Sequence, residues 1–140
     1  MAVMVVEAKS EKLVEVLSVL EQELEDAGCG IREQMQLEIA LEEIFVNIAS
    51  YAYPDGAGEV TVRIHTDQAA NMAEITLIDS GIPYNPLKKE DPDITQSAEE
   101  RPIGGLGIYM VKASMDSVEY AYRDGQNVFT MRKAWEGKAG

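Results

Sequence analysis

The sequence is poor in several features that carry common functions. Cys29 is the only cysteine among 140 residues, which excludes an internal disulfide and a metal cluster held by cysteines. No apolar run approaches the length needed to cross a membrane. The N-terminal segment has no basic region followed by a long apolar stretch, so it does not resemble a secretion signal. We therefore expect a cytoplasmic protein without a membrane anchor.

Basic residues are also scarce. Twelve lysines and arginines stand against 25 aspartates and glutamates, which gives a formal net charge of −13. Proteins that bind nucleic acid need a basic footprint, so this charge argues against that class and against docking on anionic membranes. It does not exclude a nucleotide ligand, because backbone amides, helix N-termini and Mg²⁺ can hold phosphates on an acidic protein.

The chain has enough apolar residues for one compact domain over residues 1–140, since 46% of the sequence is hydrophobic. Hydrophobic periodicity predicts the order strand, two helices, two strands, loop, helix and two strands. The predicted helices start at an N-cap at Ser10 and near residues 32 and 106; the predicted strands cover residues 2–6, 60–65, 74–79, 118–122 and 128–133. Helices grouped on one face of a mostly antiparallel sheet fit this order, so we predict an α+β two-layer sandwich.

Two polar side chains interrupt the apolar second helix. Glu43 and Asn47 are four residues apart and therefore share a helix face, where burial is costly unless something occupies them. Taken alone, the pair is explained by a wet groove beside the core. Glu38 and Glu42 fall on a different side of the helix, where solvation accounts for them.

Asp79 ends an apolar strand, and Gly81 follows in a turn. A carboxylate there can accept a hydrogen bond from an amino group such as that of adenine, and bonds of this kind contribute about 1.5–3 kcal/mol. Guanine would offer a carbonyl instead, so Asp79 would favour adenine by repulsion as well as by attraction. The alternative interpretation is an Asx turn, which Asp-Ser-Gly forms readily.

A run of three glycines precedes the third predicted helix, at Gly104, Gly105 and Gly107, with Leu106 between them. Glycines let the backbone approach phosphates, and a helix start supplies free amides and a positive dipole end. By itself the run is explained equally well as a flexible hinge, and it matches neither the P-loop nor the βαβ dinucleotide fingerprint. Thr130, on the last strand, is by itself an ordinary β-forming residue.

In combination these features follow a specific order: Glu-xxx-Asn on a helix, Asp-x-Gly after a strand, a long loop, then Gly-x-Gly opening a helix. With the phrases EEIFVNIASYAYP, DSGIPYNP and GGLGIYMVKASMDSVEY, that order resembles the Bergerat ATP-binding fold of the GHKL superfamily, which includes gyrase, histidine kinases and MutL. The short length and the lack of a phosphoacceptor domain are most similar to anti-sigma-factor serine kinases of the RsbW type. The resemblance covers about residues 3–133.

This resemblance implies a role for each residue. Glu43 would be the general base and Asn47 the Mg²⁺ ligand, while Asp79 and Gly81 would bind adenine with the help of Thr130. The second glycine box would surround the phosphates. The implied nucleotide-binding residues are Asn47, Asp79, Gly81, Gly104, Gly105, Leu106, Gly107 and Thr130.

The resemblance also implies an ATP lid over about residues 84–103, from which Lys88 or Arg101 would reach phosphate oxygens. Two positions depart from the family pattern. Pro83 stands where the first glycine box usually has a second glycine, which removes backbone freedom and an amide donor. Ser50 replaces a histidine often found three residues after the magnesium-binding asparagine.

The implied function is that of an ATP-dependent protein serine kinase. It would phosphorylate a STAS-type anti-sigma-factor antagonist and hold a sigma factor in inhibited form, acting as a homodimer. One alternative is a non-catalytic ATP-binding module that acts by sequestering a partner, although the retention of Glu43 and Asn47 argues against a degenerate site. A second alternative is an ATPase accessory subunit, which neither a linker nor a second domain supports.

Overall fold

The computed structural model describes residues 1–88 and 106–136, with the side chain of Leu106 excepted. Short 3-10 turns at Ser10–Lys12 and Pro86–Lys88 supplement the main elements. Those elements are β1 (Ala2–Glu7), α1 (Leu13–Asp26), α2 (Ile31–Tyr51), β2 (Glu59–Asp67), β3 (Met72–Asp79), α3 (Leu106–Ser114), β4 (Ser117–Arg123) and β5 (Gln126–Ala134). In this part of the chain, none of the helices has the length and apolar character needed to span a membrane.

The five strands form one sheet in the order β1-β2-β3-β5-β4. Each pair of neighbouring strands is antiparallel, so the sheet is antiparallel throughout the described residues, where the sequence predicted a mostly antiparallel one. Alternate residues of the inner strands are buried, as in Val60, Val62 and Ile64, because successive side chains point to opposite faces. They form one core with the buried faces of the helices. The predicted α+β sandwich is confirmed.

The first helix begins later than predicted but ends where its glycines indicated. Ser10 opens a short 3-10 turn, and α1 starts at Leu13 without a side-chain cap, so the predicted N-cap at Ser10 is wrong. At the other end, Gly28 has a φ of +77° and the amide of Cys29 donates to the carbonyl of Leu24 at 3.0 Å. This arrangement is the usual glycine-dependent helix end, since other residues avoid positive φ.

Helix α2 supplies the middle of the core and the edge of the site. Its buried side is formed by Leu37, Ala40, Leu41, Ile44 and Phe45, which leaves the flanking polar positions at the boundary between core and solvent. A helix of 21 residues with one apolar side gains most of its stability from this packing rather than from intrinsic propensity.

One glutamate of α2 departs from its predicted solvation. Glu42 is exposed as expected, but Glu38 is partly buried against α1, and its Oε1 is buried without a hydrogen-bond partner among the described residues. Burial, and then the neighbouring carboxyl of Glu21, raise the pKa of Glu38 from its ordinary value of 4.5 to about 7. Burial and the Glu21 carboxyl both disfavour the ionised form of Glu38. Glu38 therefore keeps its proton in the folded state at pH values where the unfolded chain has lost it.

We therefore expect the free energy of unfolding to fall as the pH rises from about 4.5 to above 7, because the folded state binds the extra proton in that window. Glu38→Gln, which keeps the shape without the charge, should flatten this slope and exceed the wild-type stability at pH 8. Urea unfolding at several pH values measures it, with the exposed Glu42→Gln as control. A wild-type slope retained in Glu38→Gln would contradict this assignment.

Candidate functional site

A cavity of about 390 Å³, part of which is open solvent at its mouth, lies between the second half of α2 and the ends of β3 and β5. Most of its lining is apolar or aromatic, and two buried polar residues, Asp79 and Asn127, stand at its base, each 5% exposed. An apolar cavity with a few fixed polar groups is typical of a small-ligand site. The lining residues are Ile44, Asn47, Ile48, Tyr51, Ala52, Leu77, Asp79, Ile82, Tyr84, Pro86, Tyr120, Asn127 and Phe129.

The carboxylate of Asp79 uses its two oxygens differently. Oδ1 accepts hydrogen bonds from the amide of Gly81 and from Nδ2 of Asn127, both at 2.9 Å. Oδ2 has no hydrogen-bond partner within the described ranges, and Asp79 lines the cavity. The predicted Asx turn and the predicted ligand role are therefore compatible, because the turn occupies one oxygen and leaves the other as an acceptor.

Asn127 is a site residue that sequence reasoning missed. It lies opposite Asp79 in the β3–β5 register. Its Nδ2 donates to Asp79 Oδ1 and to the carbonyl of Ile82, both at 2.9 Å, and its Oδ1 accepts from the amide of Tyr84 at 3.1 Å and from the hydroxyl of Tyr120. Both donors and both acceptor positions of the amide are used, so its orientation is fixed and it ties the turn after β3 to the sheet.

The structure does not bring Thr130 to the cavity. Phe129 and Met131 are buried on the helical side, so Thr130 points to the opposite face of the sheet, as alternation requires. The predicted contact between Thr130 and adenine is therefore not available, and Asn127 occupies that position. The hairpin turn at Asp124 and Gly125, with φ values of +55° and +76°, sets the register between β4 and β5. The separate pairing of β5 with β3 places Asn127 opposite Asp79, and the turn alone does not determine it.

Gly81 is required by a close approach to the end of α2. A Cβ at this position would lie 2.2 Å from the carbonyl oxygen of Ala52, and the amide of Ile82 donates to the same oxygen at 2.9 Å. The turn after Asp79 therefore packs directly on α2, so the two elements that line the cavity are held together by backbone contact.

The first residues of the predicted lid form a wall of this cavity. Tyr84 and Pro86 line it, and Pro86 is buried, so the segment before Lys88 is packed against the domain. Residues 89–103, including Arg101, lie outside the described residues, and their predicted lid role stays a prediction.

Glu43 and Asn47 meet at the rim of the cavity, as their spacing predicted. Nδ2 of Asn47 donates to the backbone carbonyl of Glu43 at 2.7 Å and to its Oε1 at 3.0 Å. Oδ1 of Asn47 and Oε2 of Glu43 have no hydrogen-bond partners in the described part of the chain. Asn47 lines the cavity and Glu43 does not, so the two side chains face different parts of the site.

Gly107 places the start of α3 against Glu43. A Cβ on Gly107 would lie 2.2 Å from Cδ and 2.3 Å from each carboxylate oxygen of Glu43, so any larger residue would displace the Glu43 carboxylate from its present position. The free amides of the first helical turn are therefore near the Glu43/Asn47 pair. Leu106 begins α3, while Gly104 and Gly105 lie outside the described residues.

The oxygen atoms at this rim fit Mg²⁺ only if a bound nucleotide supplies further oxygen ligands. No group of three or more His, Cys, Asp or Glu side chains that could hold a metal occurs in the described ranges. Asn47 offers one amide oxygen, since its nitrogen is engaged by Glu43. Mg²⁺ prefers six oxygen ligands and commonly takes several from phosphates and water, so Asn47 fits a nucleotide-bound Mg²⁺ rather than a site built by protein alone.

Asn127→Ala should lower the free energy of unfolding by about 1–3 kcal/mol, because it removes a hydrogen bond from buried Asp79 and leaves several polar groups unpaired. Gln126→Ala, at the exposed neighbouring position, should change it by less than about 0.5 kcal/mol. Urea denaturation of both variants measures the difference. Equal stability of the two variants would show that the Asn127 network does not hold this part of the fold.

Residues 6–133 match the sequence profile of the family described as Histidine kinase-like ATPase domain. The chain is 30% identical over 105 residues to the serine-protein kinase RsbW of Bacillus mycoides (strain KBAB4), covering 72% of this chain and 64% of that protein. It is 30% identical over 96 residues to RsbW of Bacillus thuringiensis (strain Al Hakam), covering 66% and 59%. The matched region thus spans about three fifths of these relatives' length.

Two solved structures share the fold. The RsbU and RsbW domains of Rv1364c from Mycobacterium tuberculosis superpose with a TM-score of 0.62 at 14% identity, covering 96% of this chain and 32% of that one. The histidine kinase domain of the Erythrobacter litoralis EL346 blue-light activated histidine kinase gives a TM-score of 0.56 at 14% identity, covering 89% and 60%. At this identity the likeness concerns the fold alone.

Proposed function

This chain belongs to the histidine kinase-like ATPase domain family, and on that premise we propose that it is an ATP-dependent protein serine kinase of the RsbW type. The observation that carries the proposal is the placement of two different polar sets around one cavity. Asp79 and Asn127 stand at its apolar base, and Glu43 and Asn47 stand at its rim beside Gly107. This division suits a nucleotide, whose base is flat and apolar and whose phosphates are charged.

Adenine recognition would depend on Asp79. Its Oδ2 would accept a hydrogen bond from the amino group of the base, while hydrogen bonds from Gly81 and Asn127 hold Oδ1 in place. Guanine would turn a carbonyl toward the same carboxylate and be repelled. Tyr51 and Tyr84, whose ring centroids are 6.1 Å apart, line the cavity and offer aromatic surface to the base.

Phosphate binding would depend on the rim. Asn47 Oδ1 would hold Mg²⁺, and this ion would neutralise charge on the phosphates. The start of α3 presents backbone amides at Gly107, where phosphate oxygens are favoured by the helix dipole. Gly104, Gly105 and Leu106 are the residues that the family resemblance assigns to the same task.

Glu43 would act as the general base toward the protein substrate. The hydrogen bond from Asn47 Nδ2 to Oε1 orients the Glu43 carboxylate, and Oε2 would accept a hydrogen bond from the serine hydroxyl. As the serine oxygen bonds to the γ-phosphorus and the bond from that phosphorus to ADP breaks, the hydroxyl proton passes to Glu43. Phosphoryl transfer otherwise requires mainly positioning and charge stabilisation.

The proposed partners are those that the resemblance to RsbW-type kinases implies. Two curated relatives are named serine-protein kinase RsbW, and one structural neighbour contains RsbU and RsbW domains. We therefore assign this chain a STAS-type anti-sigma-factor antagonist as substrate and a sigma factor as the protein it inhibits, with homodimerisation and a cytoplasmic location as family expectations.

Asp79→Asn should weaken binding of ATP in the presence of Mg²⁺ by tenfold or more, because loss of a charge-assisted hydrogen bond costs about 1.5–3 kcal/mol. Calorimetric titration of wild type and variant measures this. Asp124→Asn, a matched change in the exposed hairpin turn, should leave affinity unaltered. Equal affinity in wild type and Asp79→Asn would refute the adenine assignment.

Glu43→Gln should retain ATP binding within a few-fold and lose phosphate transfer by about 10²–10⁴-fold, because it removes only the proton acceptor. Transfer is measured with labelled ATP and a STAS-domain protein of the same organism, with Asp124→Asn in the exposed hairpin turn as control. If wild type binds both ATP and the partner but gives no more label than Glu43→Gln, the non-catalytic sequestration function replaces the kinase.

A further inference from the structure

An apolar stripe runs along the outer face of α2, away from the sheet. We call it the α2 stripe; its members are Ile31, Met35, Ile39 and Val46, which are 77%, 56%, 56% and 37% exposed. Their spacing places them within about a quarter of the helix circumference and along about 22 Å of its length. Single exposed apolar residues need no explanation, but exposed apolar residues repeated on one helix face, as at Ile31, Met35 and Ile39, are typical of an interaction site.

Acidic side chains border this stripe. Glu42 lies within the same sector of the helix, and Glu43 flanks this sector by helical position. Arg32 is the only basic residue of α2, and α1, beside Glu38, contains no lysine or arginine. The charge therefore favours a partner whose own apolar patch is surrounded by lysines or arginines. It disfavours a second copy of this chain, since each copy carries a net charge of −13.

The stripe is also adjacent to the proposed catalytic carboxylate. Glu43 is one helical turn from Ile39 and lies between Ile39 and Val46 along α2. On the other side of Glu43, α3 approaches through Gly107 and exposes Met110 by 50%. A protein lying along the stripe would therefore have part of its surface next to the group that has to accept the hydroxyl proton.

We propose that the α2 stripe docks the protein whose serine is phosphorylated, and that this protein contacts it through an apolar patch ringed by basic side chains. The inference rests on the proposed kinase function and adds to it the surface that recognises the substrate. Docking and chemistry would use different residues. A substitution in the α2 stripe should therefore change the apparent affinity for the protein substrate without changing the affinity for ATP.

Ile39→Lys tests the docking surface, because it removes apolar contact and repels a basic partner. It should raise the KM for the STAS-domain protein by about tenfold or more and leave the KM for ATP and kcat within about twofold. Val5→Lys is the matched control, since Val5 is also 56% exposed but lies on β1, on the other face of the sheet. Met35→Lys, at the same exposure, repeats the test independently.

Salt gives a second measurement of the proposed charge complementarity. The wild-type KM for the protein substrate should rise with ionic strength between about 0.05 and 0.5 M, and Glu42→Gln should weaken that dependence. An unchanged KM for ATP and an unchanged circular dichroism spectrum establish that each variant is folded.

The possible failures are distinguishable. If wild type transfers no phosphate, the kinase function fails and this inference fails with it. If wild type transfers phosphate and Ile39→Lys behaves as Val5→Lys does, the docking surface alone is refuted. If Ile39→Lys releases a bound sigma factor without changing the KM for the substrate, the stripe belongs to that other partner and the inference is likewise overturned.

Discussion

The hydrogen bond between Asn127 and Asp79 is the contact on which the rest of the site depends. A buried carboxylate is costly unless it is paired with donors, and Asp79 at 5% exposure has two of them on one oxygen. The side-chain amide of Asn127 also donates to the carbonyl of Ile82 and accepts from the backbone amide of Tyr84. One side chain therefore orients the carboxylate that we propose binds adenine, and it shapes the cavity wall.

Helix α2 connects the two halves of the site. Its C-terminal carbonyl, at Ala52, receives the turn that follows Asp79, while its middle carries Glu43 and Asn47. A shift of this helix would move the groups proposed to bind the base and the groups proposed to bind the phosphates together. The outer side of the same helix carries the exposed apolar stripe, so one element would link nucleotide, chemistry and protein partner.

Much of this arrangement was predictable because it is local. The helices and strands follow from periodicity, and the Glu43/Asn47 contact follows from a spacing of four residues on one helix. The errors are nonlocal. Asn127 rather than the predicted Thr130 faces the cavity, because the register of β5 depends on its pairing with β3. Glu38 is partly buried, where the sequence predicts solvation, because α1 packs beside it.

The most direct test of the account is the comparison of ATP and GTP binding by the unmodified protein, titrated calorimetrically in the presence of Mg²⁺. An acceptor at the base of the cavity predicts that ATP binds and that GTP binds at least about tenfold more weakly, because its carbonyl would face the Asp79 carboxylate. Equal affinity for the two nucleotides would show that Asp79 does not read the base and would contradict the account.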